Sequence, residues 1–320
     1  MNRKYDANLV HRAFCTLCVF QRFRQMRSLI ALPSNLTVSS LPMTHLLALI
    51  PYPNIDKDMV RLGPIRIRWY GMAYLTGFVL GYWVLSRLSK NGFLRISLDW
   101  LGDLVGWLAL GVVVGGRAGW WIFYHNQVLA SEHPESWWEP IAIWHGGMSF
   151  HGGLVGVILV LWVWSRYRKV SFLNLADCLA LVTPLGLCLG RIANFINGEL
   201  VGRPTNVPWA MIFPGYPEPR HPSQLYESFL EGPVLLAVVW LVKWRRNRRD
   251  GQIAAAFVVG YALFRFLVEF TRQPDDQLGF IAFGWLTMGQ LLSFLIGIVG
   301  IIWWIILSRK QPTEVEHSKK

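Results

Sequence analysis

The sequence predicts an all-α polytopic membrane protein with seven transmembrane helices, its N-terminus outside and its C-terminus cytoplasmic. Three observations carry this reading. The 320 residues are 53% hydrophobic and 14% aromatic but only 16% charged, and their mean hydropathy is +0.34; a soluble domain carries about 25% charge. Seven apolar runs approach the roughly 20 residues that a helix needs to cross about 30 Å of hydrocarbon. Lys and Arg alternate between the loops that join these runs, as they do across a bilayer. A soluble globular protein is excluded, and the net charge of +12 lies in short clusters between apolar runs, which suits anionic lipid headgroups better than nucleic acid.

In order, the runs cover 69–88, 104–123, 150–165, 175–196, 225–244, 253–270 and 286–307. Arg87, Lys90 and Arg95 follow the first run, and Arg166, Arg168 and Lys169 follow the third. Lys243, Arg245, Arg246, Arg248 and Arg249 follow the fifth, and Arg309, Lys310, Lys319 and Lys320 follow the seventh. The alternate loops hold no Lys or Arg after the second run, Arg203 and Arg220 after the fourth, and Arg272 after the sixth. Basic loops stay cytoplasmic, which sets the orientation. Segments 124–148 and 197–222 are rich in Pro, Trp and Gly and are expected to be irregular and partly interfacial. Cys15 and Cys18 have no second ligand pair near them in the chain, so no zinc site is expected.

Polar groups inside a bilayer cost free energy, about 2.5–3.5 kcal/mol for a mid-span Arg on the insertion scale, so they mark the candidates. Arg117 lies in the second run, Arg191 in the fourth and Arg265 in the sixth. Arg191, Asn194 and Asn197 recur at i, i+3 and i+6 with Glu199 just beyond, and Tyr261, Arg265 and Glu269 recur at i, i+4 and i+8. Gln224, Glu227 and Glu231 share a face of the fifth run. His145 and His151 flank glycines at the mouth of the third run, and Tyr70 opens the first. Each has a plainer reading: an Arg265–Glu269 pair that neutralises itself, interfacial histidines, an aromatic-belt tyrosine. Together they aim guanidinium, amide, imidazole, phenol and carboxylate groups at the outer half of the membrane. Planar Arg captures phosphate in bidentate fashion and imidazole accepts a proton near neutral pH, so the set suits a pocket for a phospholipid headgroup that also handles a proton.

These residues lie in motifs. GRIANFINGELVG at 190–202 resembles the signature of the bacterial prolipoprotein diacylglyceryl transferase family. WYGMAY at 69–74, GGR at 115–117, GGMSFHGGLVG at 146–156, RHPSQLYE at 220–227, FRFLVEFTRQPD at 264–275 and MGQLLS at 288–293 are similar to family sequence in family order. The resemblance spans roughly 51–309. It implies a seven-span enzyme of the bacterial plasma (inner) membrane, with its active site toward the outer face. That enzyme moves the diacylglyceryl group of phosphatidylglycerol onto the lipobox cysteine of a preprolipoprotein, leaving a thioether and glycerol phosphate. No metal or organic cofactor is implied. Against the family pattern, segment 197–222 is shorter than in many members and residues 1–42 have no counterpart.

Residues 1–42 also carry Arg3, Lys4, Arg12, Arg22, Arg24 and Arg27, which the topology would place outside against the charge rule. They are therefore expected to be a non-native or disordered extension, with Met43 as the start. A cleavable signal peptide is the alternative, but its apolar stretch breaks at Gln21 and Arg22. Residues 43–309 are then the transmembrane catalytic domain and 310–320 a cytoplasmic tail.

Laid over the motif residues, the resemblance implies that Arg191 and Arg265 hold the phosphate, that Asn194 orients the headgroup, and that Glu199 and Glu269 support the arginines. His151 is the candidate base for the thiol with Tyr261 as its rival, and the match also implies importance for Tyr70 and Gly202. A lipid-binding scaffold or flippase that uses the pocket without chemistry is the reading from another class; a transporter is disfavoured because the stripes converge on one side.

Overall fold

The computed structural model describes residues 50–309, apart from 54, 63–64, 130–140, 142–146 and 275–278. The expectations for 1–42 and 310–320, and His145, lie outside the described residues.

All seven apolar runs are helical. They are α1 (Trp69–Lys90), α2 (Leu98–Leu129), α3 (Phe150–Arg168), α4 (Phe172–Asn197), the pair α5 (Ser223–Phe229) and α6 (Leu235–Lys243), α7 (Gln252–Val268) and α8 (Met288–Arg309). Among the described residues, five stretches are long and apolar enough to cross a membrane: Leu98–Phe123, Phe150–Arg168, Phe172–Asn197, Ser223–Lys243 and Met288–Arg309. At 17 residues α7 is shorter. Local chemistry sets the ends. The Ser149 and Ser171 hydroxyls accept from the backbone N–H of Gly152 and Asn174 and cap α3 and α4. Gly198 closes α4 in the left-handed region at φ 67°, where a side chain would be strained.

Two features escaped the sequence reading. The fifth run is broken by a π-turn at Leu230–Val234, where Gly232 has ψ −105° and Pro233 follows. Short strands also accompany the helices: β1 (Ile50–Pro51) pairs in parallel with β4 (Met211–Ile212), and β2 (Asp58–Leu62) forms a hairpin with β3 (Ile65–Arg68). Segment 197–222 is irregular, as its composition suggested, apart from β4 and isolated bridges at Gly202, Pro204 and Arg220. Phe195, Val201 and Phe213 bury against Tyr52, whose hydroxyl donates to the Phe195 and Ile196 carbonyls.

Helix α4 is the hub, packing on α1, α3, α5, α6 and α7. Its Leu175, Cys178 and Leu181 meet Leu101 and Leu104 of α2, Leu235 and Val239 of α6, and Ile253 of α7 in one core. Helices α2 and α3 approach through glycine: a Cβ on Gly115, Gly119, Gly152 or Gly156 would run into the facing backbone. Small residues let helices touch in this way where lipid provides no hydrophobic drive. The glycines of GGR and HGGMSFHGG thus admit a second helix.

At the start of α7, Asp177 of α4 accepts from the backbone N–H of Gly251 (2.9 Å) and Ala254 (2.9 Å) and from Arg248 Nη1 (2.8 Å). This clamp runs α4 and α7 side by side in one direction. Arg191 is 14 residues beyond Asp177 and Arg265 is 11 beyond Ala254, about 21 and 17 Å of helix, so both arginines arrive at the same end of the bundle.

Candidate active site

The end reached by Arg191 and Arg265 gathers the polar stripes. Arg191 Nε lies 2.8 Å from Glu227 Oε2 and 3.2 Å from Glu231 Oε2. Arg265 Nη2 lies 2.7 Å from Glu269 Oε2, and its Nη1 is 4.0 Å from Glu227 Oε1. Arg272 Nη1 donates to Glu227 Oε1 at 3.1 Å. Three guanidiniums and three carboxylates thus form one chain of contacts, with Glu227 touching all three arginines. Glu227 and Glu231 are 1% and 0% exposed; charges so buried persist only when paired. The pairing uses Arg191 through Nε, and its Nη groups make no contact of this kind among the described residues. Among the described residues, Arg265 Nη1 and three carboxylate oxygens, Glu227 Oε2, Glu231 Oε1 and Glu269 Oε2, are buried without a hydrogen bond. The cluster therefore holds donors in reserve, in the planar geometry that suits phosphate.

Asn194, one turn beyond Arg191, donates from Nδ2 to the Tyr70 hydroxyl at 2.6 Å, which ties the start of α1 to the end of α4. Tyr261 stacks on Phe257 within α7 and lies in the electrostatic field of Glu231, Arg191 and Arg265. Glu269 also accepts from Thr287 Oγ1 at 2.9 Å, fastening the approach to α8. Gly202 pairs with Arg272 as an isolated bridge, and a Cβ there would lie 2.5 Å from the His221 carbonyl oxygen and 2.6 Å from that of Thr271. Only glycine fits.

Two expected residues stand apart from this network. Glu199 is exposed just past α4, and its backbone carbonyl, not its carboxylate, accepts from Gln224 Nε2. His151 is exposed in the first turn of α3 with an edge-on contact to Phe150. It precedes the α3–α4 turn by about as many residues as Arg191 follows it, so the two share an end of the bundle.

Several residues were missed as site candidates. The stripe of Gln224, Glu227 and Glu231 was visible in the sequence, yet nothing local said that Glu227 and Glu231, rather than Glu199, would meet Arg191. Arg203 donates to the carbonyls of Arg272 (2.7 Å) and Glu269 (3.1 Å). Arg220 donates to the Gly202 carbonyl (3.0 Å) and stacks on Tyr216 at 4.2 Å. These loop arginines line the rim of the cluster. His221 beside them is held below the usual histidine range, first by burial and then by the Arg203 charge. Arg117 donates to the Gly147 carbonyl (3.2 Å) and lies over Trp120, joining the GGR and HGGMSFHGG motifs.

Comparison with known proteins decides the family. The sequence profile of prolipoprotein diacylglyceryl transferase matches residues 57–306. The chain belongs to this family. The phosphatidylglycerol–prolipoprotein diacylglyceryl transferase of Nitratidesulfovibrio vulgaris is 48% identical over 267 residues, covering 83% of this chain and 98% of that protein. The enzymes of that name from Chromohalobacter salexigens, 48% identical over 273 residues (83% and 97%), and Legionella pneumophila, 48% identical over 262 residues (80% and 99%), are similar to it to the same degree. Among prolipoprotein diacylglyceryl transferases, then, this one builds its arginine–glutamate cluster from α4, α5, the π-turn and the end of α7.

Proposed function

We propose that this transferase moves the diacylglyceryl group of phosphatidylglycerol to the lipobox cysteine thiol of a preprolipoprotein. The observation that carries the site assignment is the paired arrangement of Arg191 and Arg265, each buttressed by carboxylates on one side with donors in reserve on the other. The phosphate of the lipid bridges the two guanidiniums. Asn194, its amide fixed by Tyr70, orients the glycerol headgroup, and Gly202 keeps the adjacent backbone close. Glu227, Glu231 and Glu269 aim the arginines, while Glu199 stands at the rim.

In the reaction the thiol gives up its proton, the sulfur attacks the glyceryl carbon that bears the phosphate, and the C–O bond breaks with its electron pair leaving on glycerol phosphate. Charge grows on the departing group, where preorganised guanidiniums lower the barrier most. His151 takes the proton. It is exposed at the end of the bundle that Arg191 shares, and a neutral imidazole nitrogen offers a lone pair to the thiol proton where a protonated phenol does not. Tyr261, beside the arginines, is the rival. The topology that accords with this chemistry has seven spans in the inner membrane, the N-terminus and site outside, and the basic loops cytoplasmic.

The test uses the purified full chain in detergent with phosphatidylglycerol and a lipobox peptide, followed by mass spectrometry of the peptide. A diacylglyceryl increment on cysteine, lost with Arg191→Ala, is expected. Lipid binding without any increment would leave a scaffold instead of an enzyme. His151→Gln should slow turnover while lipid binding is largely retained; turnover that survives in this variant and is lost in Tyr261→Phe would move the base to that residue.

A further inference from the structure

The basic loop between α6 and α7 takes no part in this chemistry. It lies by the N-terminus of α7, 13 residues and about 20 Å of helix from Arg265. Beside it opens a cleft of about 370 Å³ lined by Arg245, Arg246, Asn247, Gln252, Trp304 and Ser308, within the range of small-ligand sites. The loop's one acidic residue, Asp250, pairs with Arg95 at 2.8 Å, and Asp177 of α4 is already paired with Arg248 at 2.8 Å. Arg249 donates to the Leu307 carbonyl. Arg245 and Arg246 make no ion pair among the described residues, and Arg245 lies over the Trp304 ring at 5.9 Å. Gln252 Nε2 donates to Ser308 Oγ at 3.3 Å and fixes the floor.

We propose that this cleft binds the phosphate headgroup of an anionic phospholipid, at a second lipid site remote from the arginine–glutamate cluster. Arg245 and Arg246 meet the phosphate, while Asn247 offers a hydrogen bond to headgroup oxygens; the Ser308 hydroxyl is held by Gln252 and the Trp304 carbonyl. Trp304, an amphipathic ring at the end of an apolar helix, sets the level of the membrane interface. The acyl chains run along α8, where Ile301 and Ile305 lie one turn back from Trp304 and Ser308 on the same face and are 49% and 42% exposed. A free anion would use the arginines but not this apolar track. The site draws on the attraction of basic juxtamembrane residues for anionic leaflets, here focused into a cavity.

The test places the full chain in phosphatidylcholine nanodiscs doped with diazirine-bearing phosphatidic acid and maps the photo-crosslinks by mass spectrometry. Crosslinks are expected on peptides covering 301–309 and 244–252. Arg245→Gln/Arg246→Gln should weaken labelling about thirtyfold, and Arg246→Gln alone about fivefold should the double variant not assemble. Arg245→Lys/Arg246→Lys should retain most of it. Transferase activity should be unchanged in all three, because these residues lie outside the catalytic site. Labelling that survives both Gln variants, equal labelling by a diazirine-bearing phosphatidylcholine, or displacement by inorganic phosphate alone would each overturn the proposal.

Discussion

The two ends of α4 each bury an arginine against a carboxylate, and they do so to opposite effect. At the Asp177 end every partner is spoken for: two backbone N–H groups and Arg248 converge on one carboxylate. At the Arg191 end, three arginines share three glutamates, and Glu231 Oε1 and Arg265 Nη1 are left without hydrogen bonds. Saturated polar groups hold helices in place; unsaturated ones cost stability and persist where a ligand completes them. The first end is a joint and the second is the proposed site.

Substitutions at each end can break or sharpen that contrast. The largest effect is expected for Asp177→Ala, which leaves Arg248 and two backbone donors buried without their acceptor and should cost about 3–5 kcal/mol, read as denaturant unfolding in micelles. A loss under about 1 kcal/mol would mean that the joint is wet and weak. Arg191→Lys should leave unfolding nearly unchanged while turnover falls about 10²-fold, because a compact ammonium cannot reproduce the planar fork; near-normal turnover would count against bidentate phosphate contact. Glu231→Gln removes a carboxylate whose second oxygen is already orphaned, so it should cost little stability but about tenfold in activity as Arg191 loses its aim. Equal losses of stability from Glu231→Gln and Asp177→Asn would erase the distinction.

The smallest effect is a pH dependence. His221 at the rim has a folded-state pKa below its ordinary value, so between that value and about 6.5 the unfolded chain binds more protons than the folded one. Its contribution to stability is therefore present above about pH 6.5 and is lost as pH falls through the window. Thermal unfolding of the wild type against His221→Gln across pH 5–8, on the order of the window in which histidine titrates, should show the difference closing in the variant.

Much of this contrast was visible beforehand. All seven apolar runs are helical, because length and hydropathy are local properties, although the second extends six residues past each expected end and the fifth is broken at the π-turn. Arg191, Asn194, Tyr261, Arg265 and Glu269 were legible because a polar residue in an apolar run is conspicuous wherever it pairs. The Arg265–Glu269 pair follows from its i, i+4 spacing, but partners on other helices do not. Tyr70 and Asn194 are 124 positions apart, and Arg191 and Glu227 are 36 apart on different helices. Asp177 stands among apolar neighbours in the sequence, and its three donors all come from the start of α7 and the loop before it. The break at Leu230–Val234 had its local cue in Gly232 and Pro233, but a Cβ on Gly232 would lie 2.6 Å from that of Cys188, a restriction set by the neighbouring helix.

The sequence by itself determined which segments are apolar enough to be helical in a bilayer, which loops are basic, and which residues are too polar for where they lie, since each follows from side-chain chemistry summed over a short window. Only the tertiary structure decided which carboxylates serve Arg191 and Arg272. An ion pair depends on distances of a few ångströms between helices, and those are set by the glycine contacts of α2 and α3, the Asp177 joint and the packing of α4 against its neighbours.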